Sequence, residues 1–129
     1  MVAVSQIVRL ELPAPPKELS PNARSDWHVV AREKATYKNA CYLLARNARQ
    51  LADGVVFPLN PPVTVIVTFV VPDRRRRDFD NLLSALKAGF DGIVAAEVLA
   101  DDSAWDLRLG MEIEVGKQAG VRVTLEGAP

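Results

Sequence analysis

The sequence predicts an α/β (α+β) domain: a single mixed β-sheet carrying two helices, in the order β-α-β-α-β-β. Three observations lead there. Residues 63–71 (VTVIVTFVV) form an almost unbroken apolar, β-branched run, the mark of a central strand. Two segments, 25–51 and 80–95, repeat apolar residues at helical spacing. Two C-terminal segments alternate apolar and polar residues, as half-buried strands do.

Taken in order, residues 4–12 alternate and read as the first strand. Pro13, Pro15, Pro16 and Pro21 make 13–23 an extended loop. A long helix follows from Ser25 or Asp26 to about Leu51, with Tyr37, Cys41, Leu44, Ala45, Ala48 and Leu51 as its apolar stripe, and Asp53-Gly54 stops it. After a turn rich in proline (Pro58, Pro61, Pro62) comes the 63–71 strand, expected to be covered on both faces. The second helix, about Asp80 to Ala95, places Leu82, Leu83, Leu86, Phe90, Ile93 and Val94 on one side and Asp80, Ser84, Lys87 and Asp91 on the other. From Trp105 to Val115 every odd residue is apolar, and Val121, Val123 and Leu125 repeat the pattern after a Gly116–Gly120 turn. These two segments predict an antiparallel hairpin with one buried and one wet face.

Bulk properties narrow the class. A chain of 129 residues, 49% apolar and 25% charged, predicts one globular domain spanning 1–129. No apolar run approaches the length of a membrane span, and the N-terminus lacks the basic start and apolar block of a signal peptide. The lone Cys41, on the apolar side of the first helix, reads as a buried small hydrophobe in a cytoplasmic protein. Net charge is zero, yet residues 22–49 carry six basic side chains against two acidic ones, while acidic residues concentrate after Asp73. That segregation permits a basic surface beside an acidic site. His28 is the sole histidine, which excludes a histidine-based metal cluster or dyad within one chain.

The chemistry concentrates in 72–81 (PDRRRRDFDN) and in Asp101-Asp102. Arginines grip phosphate, and clustered carboxylates hold a hard divalent cation through oxygen. Together they are the equipment for metal-assisted phosphodiester chemistry. Asp78 and Asp80 sit where a strand gives way to a helix, and alternate residues of an extended segment face one way. Either could instead cap the helix. Lys87 and Asp91 form an i,i+4 pair that reads equally as a surface ion pair or as a cation beside a metal. Of Asp101 and Asp102, consecutive in sequence, one is expected to face the site.

The pattern Arg-Arg-Asp78-x-Asp80-Asn81-Leu82, then Lys87-x3-Asp91-Gly, then Asp101-Asp102-Ser103, resembles the RusA family of Holliday-junction resolvases. Leu19-Ser20-Pro21-Asn22-Ala23-Arg24, followed by Trp27 and a basic helix, is similar to that family's N-terminal region. The resemblance implies a homodimeric, Mg²⁺-dependent endonuclease (Mn²⁺ being an alternative) that nicks four-way DNA junctions symmetrically, in an enzyme type often encoded by phages or prophages. It implies an acidic triad at Asp78, Asp80 and Asp102 and a catalytic lysine at Lys87. In the family's pattern that lysine lies one turn after the second aspartate, where this chain has Ser84. Asp101, Asp91 and Ser84 would then support the site from behind.

The implied mechanism is hydrolysis by a water activated at Mg²⁺. Arg74, Arg75, Arg76 and Arg77, with Asn22, Arg24, Lys34 and Lys38, would track the DNA backbone. Neither a small-molecule cofactor nor a membrane enters this expectation. Two rivals remain: a junction-binding protein of the same fold without turnover, and a haloacid-dehalogenase-type phosphatase. The four arginines between strand and aspartates count against the second.

Overall fold

The β-branched run from Val63 to Val71 forms the longest interior strand of a four-stranded sheet in the computed structural model, which describes residues 5–103 and 105–129. Val4, the first residue of the predicted first strand, lies outside the described residues. The elements are β1 (Ile7–Pro13), a 3₁₀ turn (Lys17–Leu19), α1 (Trp27–Leu51), β2 (Val63–Val71), α2 (Phe79–Ala95), β3 (Leu107–Val115) and β4 (Gly120–Glu126). The order β-α-β-α-β-β and the single mixed sheet are those the sequence predicts.

Strand order is β1-β4-β2-β3. β4 lies antiparallel between β1 and β2, and β3 runs parallel to β2, with Val63 opposite Leu107 and Val71 opposite Val115. The predicted β3–β4 hairpin therefore does not form. β2-α2-β3 is a βαβ unit, in which a crossover helix returns the chain parallel to the strand it left. β3 thus takes one flank of β2 and leaves the other to β4.

Both helices contribute to one core, on one face of the sheet. Val65, Val67, Val123 and Leu125 from the strands meet Tyr37, Cys41 and Ala45 of α1 and Leu86, Phe90 and Ile93 of α2, all buried. The expectation that β2 is covered on both faces is corrected: on its far side Thr68 is buried, but Thr64, Ile66 and Val70 are only half-buried. Gly110 on β3 and Gly116 just after it accommodate the two large ones, since a Cβ on Gly110 would come within 2.8 Å of Ile66 and one on Gly116 within 2.6 Å of Val70. On α1 the predicted stripe is shorter than expected, because Leu44 and Leu51 are exposed.

Asp26 starts α1, its carboxylate accepting the His28 N–H at 2.8 Å. α2 ends in a Schellman arrangement: the Glu97 N–H donates to Val94 O and the Val98 N–H to Ile93 O, while Val98 and Ile93 are buried in the core. Glu97 holds φ 61°, the left-handed region glycine prefers. Glu97→Gly is therefore expected to raise stability by about 1 kcal/mol, read from the urea midpoint.

Burial pushes the Cys41 thiol up to about 11, against a smaller opposing effect of the Tyr37 hydroxyl. Native protein at pH 8 is expected to react with iodoacetamide roughly 100-fold more slowly than protein in urea, because the thiolate is scarce and covered. Equal rates, followed by mass spectrometry, would contradict this packing.

Candidate nucleic-acid interface and active site

Where β2 ends, the chain folds back on itself through one arginine. Arg77 donates to the carbonyls of Asp73 and Arg75, both at 2.9 Å, and to the Asp73 carboxylate at 3.0 Å. The same carboxylate accepts the Arg75 N–H at 3.0 Å. These bonds hold the Asp73 carboxyl below the usual carboxylate range, the Arg75 amide contributing most. Arg77, counted with the other three as a DNA contact, is thus half-buried and fastens the loop instead. Arg74, Arg75 and Arg76 are left exposed on it.

Asp78 is the first residue outside α2 but makes no capping hydrogen bond. Its carboxylate lies 3.5 Å from the Arg76 guanidinium and remains exposed. Asp80, in the first turn, is exposed as well. Both carboxylates stand at the positive end of α2, where the helix dipole favours anions. Asp78 thus occupies the N-cap position of α2 without a side-chain capping hydrogen bond.

A cleft of about 590 Å³ joins this junction to the loop after β1. Lys17, Ser20 and Asn22 line one wall, and Arg75, Arg76, Asp78 and Asn81 another. Residues more than fifty positions apart therefore share one opening, with basic and amide donors beside an acidic group. Asn81 was not assigned a role from the sequence, although its place three residues after Asp78 puts the two on one helix face. Lys17 and Ser20 carried no sequence signal beyond their position in the proline-rich loop.

On the other side of Ala85, which lines both, a second cleft of about 510 Å³ opens between the helices. Lys34 and Lys38 of α1 meet Ser84, Lys87 and Asp91 of α2 there. The Lys87 ammonium donates to Asp91 at 2.8 Å and also to Asp102. Asp102 is thus turned toward α2, while Asp101 is exposed and accepts the Asp102 N–H at 2.8 Å. The contacts with Asp102, then Asp91, raise the Lys87 ammonium above its ordinary 10.5, and Lys87 lowers the Asp102 carboxyl below 3.8. For the carboxylate, the stabilising effect is whole above its ordinary value and is lost as pH falls through the depressed one. For the ammonium it is whole below 10.5 and lost as pH rises through the elevated value. Across the neutral range the pair stays ionised. Arg24 is exposed and lines neither cleft.

Among the described residues, no group of three or more His, Cys, Asp or Glu side chains is arranged to hold a metal ion. Asp102 is held on Lys87, seven residues along α2 from Asp80, or about 10 Å of helix rise. Asp78 and Asp80 nevertheless suit Mg²⁺ chemically, as two hard oxygen donors without a competing soft ligand. Mg²⁺ is commonly bound through one or two carboxylates and keeps several waters.

No helix among the described residues is long and apolar enough to cross a membrane. No protein-family model matches the chain. A crystal structure of cyanuric acid hydrolase from A. caulinodans superposes with a TM-score of 0.45 and 17% identity, over 96% of this chain and 38% of that one, too loosely to inform fold or function. An uncharacterized protein of Xylella fastidiosa (strain Temecula1) is 33% identical over 127 residues, covering 98% of this chain and 81% of its own. At that identity and coverage, the chain belongs to the same family as the Xylella protein.

Proposed function

We propose that this protein is a metal-dependent, structure-specific endodeoxyribonuclease that resolves four-way DNA junctions by paired nicks, in recombination or repair. The observation that carries the reading is the first cleft, where Asn22 and the arginine loop open onto Asp78 and Asn81. The RusA-like spacing of Asp78, Asp80, Lys87 and Asp102 supports it. Its setting would be the cytoplasm of a bacterium or of a phage-infected cell.

Asp78 and Asp80 would hold the Mg²⁺ ion, or Mn²⁺ in its place. A cation bound there supplies Lewis-acid activation of a water and neutralises phosphate charge. Arg74, Arg75 and Arg76 would grip phosphates from the fastened loop, and Asn22 lines the same cleft as Arg75 and Arg76. Lys34 and Lys38 offer positive charge to the flanking strand in the second cleft. Lys87 holds Asp102 at the side of α2.

That ion pair favours a second reading. With Asp102 engaged by Lys87, a junction-binding protein without turnover would use the same basic surface. A synthetic four-way junction, with linear duplex as control, separates the two. Nuclease function predicts paired nicks confined to the junction with Mg²⁺ and none with EDTA. Tight binding without nicks would select the binding protein, and neither would refute both.

A further inference from the structure

The first cleft has a floor that gripping phosphate does not require. Buried Phe69 and Val71 of β2 and Val121 of β4 line it, together with half-buried Val70, Leu82 and Ala85. Phosphate is recognised by cations and N–H donors, and apolar surface contributes nothing to that grip. The position is that of a ligand crevice: β2-α2-β3 is a βαβ unit, and the cleft takes in the carboxyl end of β2 and the start of α2. Its volume of about 590 Å³ falls inside the roughly 300–1,000 Å³ of small-molecule sites, which pair apolar walls with a few polar groups.

The polar groups here are amides and cations. Asn22 and Asn81 both line the cleft, and among the described residues neither side-chain amide hydrogen-bonds to the protein. Each amide offers an acceptor and donors, the complement of a nucleobase edge. Exposed Lys17, Arg75 and Arg76 share the opening with one carboxylate, Asp78, which leaves it net positive. A flat apolar face, a hydrogen-bonding edge and an attached anion are the three features of one nucleotide. An apolar peptide side chain would use the floor and leave the amides and cations idle, and a free phosphate would do the reverse.

We infer that this cleft seats one unpaired nucleobase of a DNA strand, with its face on the apolar floor, its polar edge at Asn22 and Asn81, and its phosphate at Arg75 and Arg76. This deepens the nuclease reading and rests on it for the choice of DNA. Drawing a base out of the stack costs least where pairing is already interrupted. Bases at a branch point meet that condition and bases within a linear duplex do not. The cleft would therefore select the junction before any bond is cut.

Amide shifts of ¹⁵N-labelled protein test it, titrated in EDTA with a single-stranded thymidine trinucleotide or with the same strand carrying an abasic sugar at its centre. The two strands have equal charge and differ by one base. The intact strand is expected to bind at least about 10-fold more tightly and to shift Val70, Leu82, Ala85 and Val121, whereas the abasic strand shifts only the arginine loop. Asn22→Ala/Asn81→Ala should remove most of that preference and leave the abasic strand's affinity unchanged. Equal affinities, a loss in the alanine variant shared by the abasic strand, or no binding of either strand would overturn the inference. Metal-dependent cutting of a four-way junction is read separately. Cutting without a base preference rejects the base site alone, and a base preference without cutting rejects the nuclease reading alone.

Discussion

Asp80→Asn is expected to lower metal-dependent junction cleavage by about 100-fold or more while junction binding holds or tightens. Asp80 is exposed in the first turn of α2, so asparagine replaces it without a packing cost. The substitution removes a hard anionic oxygen from the pair of carboxylates at the α2 N-terminus, Asp78 and Asp80. It also removes a negative charge from a surface that must receive phosphate, which is why binding should not suffer. Cleavage rate and gel-shift affinity, measured on one preparation, separate the two effects. Cleavage at the wild-type rate would remove Asp80 from the site.

Gly92→Val is expected to cost about 3 kcal/mol or more of stability, an effect on the fold and not on the chemistry. A Cβ at Gly92 would lie 2.5 Å from the Lys38 carbonyl oxygen and 2.8 Å from the Tyr42 nitrogen, both backbone atoms of α1. Backbone cannot swing aside as a side chain can, so the helices must part. Parting them would open the packing of Cys41 against α2 and shift Lys38 relative to Lys87 in the second cleft. Ala95→Val, at an exposed position of the same helix, controls for the lower helix propensity of valine and should cost less than about 1 kcal/mol. Urea midpoints that coincide for the two variants would contradict the close approach.

Local pattern carried the elements well. Val63 to Val71 begins and ends where its β-branched run does, and α1 starts at its Asp26 cap. Pairing was not legible in the same way. Alternation in 107–115 and 121–125 is equally compatible with a hairpin and with two strands flanking β2, since both need one apolar face. The decisive feature was the helix between β2 and β3, which brings β3 back parallel. Alternation also says nothing about whether an apolar face is covered, so the exposure of Leu109, Ile113 and Val115 follows only from β3 lying at the edge.

The site was legible as a set of residues and not as a geometry. Four consecutive arginines look alike in sequence, and only the turn from Asp73 to Arg77 distinguishes the one that fastens the loop from the three it displays. The contact of Lys87 with Asp102 spans fifteen residues and depends on the path of the chain after α2, which no helical period encodes. Asn22 comes to share a cleft with the arginine loop through a proline-rich segment whose direction the sequence leaves open.

Mn²⁺ titrated into ¹⁵N-labelled protein, with amide line broadening read residue by residue, tests the central claim most directly and needs no substrate. Paramagnetic broadening that begins at Asp78 to Asn81, and is abolished there by Asp80→Asn, is the predicted result. Broadening that begins elsewhere, at Glu112 and Glu114 for instance, would contradict the assignment of this junction as a metal-dependent active site.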